Sequence, residues 1–284
     1  MRVGIASPVV TQVPGVHSEW ERTAGIEDLG RIAEAADRFG FHHLTCSEHV
    51  GIPREVAEQR GATYWDPLST LGYLAARTTT IRLTTQVLVL GYHHPLEIAK
   101  RYGTLDRVSG GRLVLGLGVG SLEEEFALIG AQFEGRGSRA DDALAALRAS
   151  LSQREPEYHG EHYDYAGFVV EPHAVQARVP MWIGGRTLRS LRRAAKHGDG
   201  WVPFGLDSAQ LREMLGKVDL PADFEVVLPA GALDPAGKPE AAEAALTQVR
   251  EAGATLVGAQ LRARSADHYC EQLEALAGIA ADID

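Results

Sequence analysis

Three short apolar runs of this chain end in residues that can do chemistry. The run at 43–47 ends in Ser47-Glu48-His49. A carboxylate beside an imidazole can hold, give or take a proton near neutral pH, which makes the pair a candidate acid/base or polar anchor. The run at 181–183 ends in Gly184-Gly185-Arg186 and feeds a segment carrying Arg189, Arg192, Arg193 and Lys196. The free N–H groups and positive dipole end of a helix start bind phosphate or carboxylate, and Arg186 adds a bidentate partner. Arg192 and Arg193 are expected on a solvated outer face. The run at 113–118 breaks into Gly116, Gly118 and Gly120, where glycine allows positive φ or lets a ligand approach bare main chain. Thr85 and Gln86 set polar groups within the run at 81–90, either at a ligand or as ordinary strand termination. The polar segment 50–65 closes on Tyr64 and Trp65, which form a wall of a substrate pocket unless Trp65 packs beneath the loop.

Other candidates are weaker. His159-Gly-Glu-His162 has short spacing in an irregular segment without further ligands nearby, so no metal centre is expected there. The adjacent pairs His42-His43 and His93-His94 are expected to diverge and to chelate poorly. Glu123-Glu124-Glu125 is read as favourable charge in the first turn of a helix.

The elements that must position these residues alternate from end to end. Strand-like runs fall at 2–7, 43–47, 81–90, 113–118, 181–183, 200–203, 224–229 and 255–261. Helix-like segments fall at 26–39, 67–77, 95–108, 122–130 with 138–152, 187–197, 208–218, 239–252 and 266–280. Strict alternation means parallel strands joined by crossover helices. Eight units in 284 residues predict a (β/α)8 barrel spanning 1–284 as one domain, with catalytic groups at the C-terminal strand ends. Residues 153–178, rich in Pro, Gly, His and Tyr, form an irregular insertion before strand five. A doubly wound sheet is the second choice. The Gly-x-Gly-x-Gly spacing on the fourth strand, with no acidic strand end after it, does not fit a dinucleotide fingerprint.

A net charge of −10 argues against broad binding to nucleic acid or anionic membranes. No apolar run approaches the roughly 18 residues of a membrane span. Cys46 and Cys270 lack metal or redox spacing and suit a reduced, cytoplasmic setting. The N-terminal residues read as a first strand and not as a signal peptide.

With these elements in place, the chain resembles the luciferase-like flavin and deazaflavin oxidoreductases, and within them the small coenzyme F420-dependent group. The resemblance rests on Ser47-Glu48-His49, Asp66-Pro67-Leu68, Thr85 to Leu90, His94-Pro95, Thr104 to Arg112, Gly116 to Gly120, Glu124-Glu125-Phe126, Trp182 to Gly185 and Gly198-Asp-Gly-Trp201. These stretches cover residues 1 to about 205; beyond them only the strand–helix rhythm agrees. The resemblance implies a cofactor across the barrel mouth and a cis peptide between Gln86 and Val87 behind its middle ring. It implies ring contact by Glu48, where the family more often has Asp, and proton transfer by His49. Val119 and Gly120 would border the ring and ribityl chain, and Gly184, Gly185 and Arg186 the phosphate. Ser121 stands where sugar-phosphate and alcohol dehydrogenases of the family carry glutamate, so neither substrate class is implied. The expected activity is hydride transfer between coenzyme F420 and a small organic substrate by a homodimer joined through outer helices. The alternatives are an FMN-dependent monooxygenase supplied by a separate reductase, and a non-catalytic flavin-binding protein.

Overall fold

The computed structural model of the protein describes residues 1–283. Eight parallel strands form the wall: β1 (Val3–Ile5), β2 (His43–Cys46), β3 (Arg82–Thr85), β4 (Leu113–Gly118), β5 (Met181–Gly184), β6 (Gly200–Val202), β7 (Glu225–Leu233) and β8 (Leu256–Leu261). Each pairs with its neighbours, β8 returns to β1, and β4 pairs with β5, so the sheet closes on itself. The main crossover helices are α1 (Ile26–Arg38), α2 (Pro67–Arg77), α3 (Pro95–Val108), α4 (Arg136–Ser150), α5 (Leu188–His197), α6 (Ser208–Leu215), α7 (Pro239–Glu251) and α8 (Ala266–Asp282). The chain is therefore the expected (β/α)8 barrel.

Local sequence explains the helix starts. Asp66 accepts from the Ser69 N–H ahead of Pro67, and Thr187 and Ser265 cap α5 and α8 in the same way. Such caps satisfy donors that have no partner inside the helix.

Alternation sorts the strand side chains. Leu113, Leu115 and Leu117 of β4 join the large apolar layer beneath the helices, whereas Val114 packs inside the barrel with Trp182, Val202, Val227 and Leu256. The barrel floor also holds His43, whose ring lies over Gly4; a Cβ there would fall 2.0 Å from the ring. His42 and His43 do not diverge as expected. Their Nδ1 atoms lie 3.1 Å apart, and His42 stacks on Trp182.

Two segments differ from the sequence reading. The run at 81–90 is not one strand: β3 ends at Thr85, a cis peptide joins Gln86 to Val87, and Leu88–Val89 resumes pairing beside Leu117 and Gly118. The polar segment 50–65 contains a helix, Arg54–Arg60, and a strand, Thr63–Tyr64, paired with Thr11–Gln12. The insertion at 153–178 lies between α4 and β5 and carries a small hairpin, Tyr158–His159 with Asp164–Tyr165. Fully buried Asp106 of α3 ties it down by accepting from the Val175 and Gln176 N–H groups.

Candidate active site

The C-terminal ends of β2 to β6 surround a cleft of about 580 Å³. Of the anticipated residues, Glu48, His49, Tyr64, Gln86, Val87, Val119, Gly120, Ser121, Gly184 and Gly185 line it, together with Tyr92 and Phe204. Its surface is mainly apolar, and it is bounded on one side by the bulge at Gln86–Val87. Val87 fits there because β4 and β5 present no side chains to it. A Cβ on Gly118 would lie 2.7 Å from Val87, and one on Gly184 would lie 3.1 Å away. These two glycines make room for Val87, and both also line the cleft.

Three anticipated residues lie elsewhere. The Thr85 hydroxyl is buried and donates to the Gly116 carbonyl at 2.8 Å, which pins β3 to β4. Trp65 packs against the apolar layer and its carbonyl accepts from the Cys46 thiol, so it lies beneath the loop and not in the pocket wall. Arg186 is exposed, with its guanidinium 5.8 Å from the Phe204 ring at the rim.

Two acid–imidazole pairs stand beside the cleft. The Glu48 carboxylate accepts from His93 Nε2 at 2.7 Å and from the Val89 N–H at 2.7 Å. Burial opposes charge on His93, but the hydrogen bond and charge of Glu48, with Glu97 beyond, raise its pKa above the ordinary histidine value. Glu48 thus braces the strand-three extension from within the cleft wall. The second pair escaped the sequence reading. His49 Nδ1 lies 2.8 Å from Oε2 of Glu125, whose side chain is 0% exposed. The same carboxylate accepts from Tyr92 Oη at 2.6 Å and from the N–H groups of Val50 and Gly51. Burial alone would favour the neutral acid, yet these donors hold its pKa below the usual glutamate value. Glu125 is therefore a buried anion, not surface charge on a helix turn. Its accepting role places the proton on Nδ1 of neutral His49 and leaves Nε2 as the nitrogen open to the cleft.

Val119 also borders a neighbouring pocket of about 380 Å³, built from Gly135, Arg136, Gly137 and Ser138 at the start of α4 and Thr187 and Arg189 at the start of α5. Arg193 reaches this pocket but is neutralised by Asp141. Among the described residues no carboxylate pairs with Arg136 or Arg189. Arg189 and Arg193 lead on to a shallow groove along α5 with Arg192 and Lys196. The expected anion site at Gly184, Gly185 and Arg186 and this pocket both adjoin the start of α5; the helix expected from 138 starts at Arg136, which brings that residue into the pocket.

Comparison with known proteins agrees with this geometry. The family model of the luciferase-like monooxygenases matches residues 1–281. An uncharacterized protein of Mycobacterium tuberculosis is 30% identical over 260 residues, covering 86% of this chain and 91% of its own. The crystal structure of the monooxygenase RslO1 from Streptomyces bottropensis superposes with a TM-score of 0.79 at 21% identity, over 99% of both chains. An F420-dependent secondary alcohol dehydrogenase, in complex with an F420-acetone adduct, superposes with a TM-score of 0.77 at 13% identity, over 100% of this chain and 99% of that one. The barrel, its broken third strand and the family match over residues 1–281 lead to one assignment: the chain belongs to the luciferase-like monooxygenase family.

Proposed function

We propose that the protein is a coenzyme F420-dependent oxidoreductase that exchanges a hydride with a small organic substrate. The observation that carries this reading is a row of three neighbouring cavities: the apolar cleft, the arginine pocket sharing Val119 with it, and the groove along α5, lined by Arg192, Lys196 and Asp141, sharing Arg189 and Arg193 with that pocket. A flat tricycle, a phosphate and an anionic oligoglutamate tail match that series in order. The residues fit such a molecule. Val87 and Val119 offer apolar faces, the Gln86 side-chain amide has no partner among the described residues, and Arg136, Ser138 and Arg189 suit a phosphate. When bound, a deazaflavin supplies a two-electron hydride carrier. The chain's own part is to orient the reactants, to exclude water with Tyr64 and Phe204, and to move one proton at His49 Nε2. Glu48, Gly120, Ser121, Gly184 and Gly185 shape the cofactor cleft in this reading.

A second reading is an FMN-dependent monooxygenase working with a separate reductase. The similarity to the monooxygenase RslO1 favours it, and FMN would occupy the first two cavities while leaving the third empty. Titration of the apo protein with oxidised F420 and with FMN, followed by cofactor fluorescence, separates the two. Saturable F420 binding at micromolar concentration or below, with weaker FMN binding, is the expected result. Preference for FMN would replace the first reading with the second. Binding of neither would remove both. Should a cofactor bind and turn over, His49→Ala is expected to cost about 10²–10⁴-fold in kcat; an unchanged rate would point to a non-catalytic role for this histidine.

A further inference from the structure

We propose that Glu125 is the positioning residue of His49, and that with Tyr92 it forms a hydrogen-bonded brace fixing which imidazole nitrogen exchanges a proton with substrate. Three observations carry this. The carboxylate is completely enclosed, so its position is set by the fold and not by solvent. Its two oxygens take donors from three directions: His49 Nδ1 and Tyr92 Oη on Oε2, and the Val50 and Gly51 N–H groups on Oε1. The His49 ring is also held edge-on by Tyr64, with centroids 4.4 Å apart, so it cannot turn without breaking both contacts. The titratable groups facing His49 are Glu125, Tyr92 and Tyr64, with the Glu48–His93 pair one residue away and Arg60 behind Tyr64.

The consequence is directional. When imidazolium His49 acts as an acid, the Nε2–H bond breaks, its electron pair stays on Nε2, and the proton passes to a substrate oxygen. The Nδ1–H remains with Glu125 throughout. The reverse transfer regenerates the imidazolium beside a carboxylate that stabilises it. Glu125 itself never meets substrate.

The proton-transfer role rests on the oxidoreductase reading, but the measurement does not. Protein labelled with nitrogen-15 histidine would be titrated by long-range proton–nitrogen NMR, with the His49 signal assigned by its loss in His49→Gln. In the unsubstituted protein, neutral His49 should be the Nδ1–H tautomer. In Glu125→Gln the neutral amide can donate as well as accept, so the Nδ1–H tautomer should lose its preference and the Nε2–H form should appear. Should that variant fail to fold, Tyr92→Phe leaves the carboxylate oxygen to His49 alone and should move the His49 Nδ1–H proton resonance downfield. An Nε2–H tautomer in the unsubstituted protein, or His49 signals insensitive to the substitutions, overturns the proposal. Failure of both F420 and FMN to bind would sink the oxidoreductase reading while leaving this test intact.

Discussion

At the scale of single residues, charge that lacks a partner is the most informative feature. Arg193 is 6% exposed and committed to Asp141, so it is structural. Arg192 and Lys196 are exposed on the same helix and have no carboxylate partner among the described residues. If they meet the tail of F420, replacing both with Ala should weaken F420 binding about twofold to thirtyfold at low salt, because exposed ion pairs contribute roughly 0.2–1 kcal/mol each. FMN, which has no tail, should bind the variant as it binds the parent. Fluorescence titrations at two ionic strengths check this: equal losses for both cofactors would place these side chains at a phosphate, and no loss for either would place them away from the ligand. Glu125 shows the limit of reading residues from sequence. Three glutamates in a row look like helix-start charge, and only burial distinguishes the third, which accepts four donors, from its two exposed neighbours.

At the scale of elements, pattern was legible wherever one face of an element is buried. The segments at 67–77 and 95–108 coincide with α2 and α3, where proline at the first turn and apolar periodicity agree. The helix Arg54–Arg60 buries no residue, so it has no amphipathic signature and reads as loop. The run at 81–90 is apolar throughout, and nothing in periodicity marks a break; only the family resemblance placed a cis bond there. Connections between elements can be tested similarly. Asp37, near the end of α1, accepts from the N–H and hydroxyl of Thr79 and of Thr80 and from the N–H of Ile81, fastening the turn that launches β3. Burial works against its charge, but these donors depress its pKa strongly. A carboxylate at a helix C-terminus opposes the dipole, so the bonds must outweigh that cost. Asp37→Ala is expected to destabilise the protein by about 1–3 kcal/mol, seen as a lower urea midpoint with an unchanged slope. No change in midpoint would mean that water replaces the carboxylate without loss.

At the scale of the whole molecule, two properties follow from how the barrel is dressed and filled. Its outer surface exposes Phe168, Val169 and Val175 on the insertion and Val108 at the end of α3, and we expect a homodimer through this side. Light scattering should give twice the 30.6 kDa chain mass, and Phe168→Glu should reduce it to one chain; a monomer from the outset would sink the idea. The interior is a matter of protonation. Burial, with Arg2 and Arg82 nearby, lowers His42 to about 4, and burial, with His42 and Arg2, holds His43 well below the ordinary histidine value. Both are therefore neutral in the fold, while the unfolded chain takes up protons with a midpoint near 6.5. Between pH about 6.5 and about 4 the unfolded state binds more protons, so stability is complete above that window and is lost as pH falls through it. Each histidine contributes a slope of up to ~1.4 kcal/mol per pH unit. Carboxylates such as Asp37, with depressed pKa, keep their contribution until pH falls to the ordinary carboxylate range and lose it below, so the upper part of the histidine window, above about pH 5, is free of them. Urea midpoints measured from pH 8 to pH 4 should fall most steeply below about 6.5, and a His43→Phe variant that still folds should show a shallower fall. A flat profile across that window would mean that the barrel floor accommodates an imidazolium, contrary to the enclosure of His43 between Gly4 and Trp182.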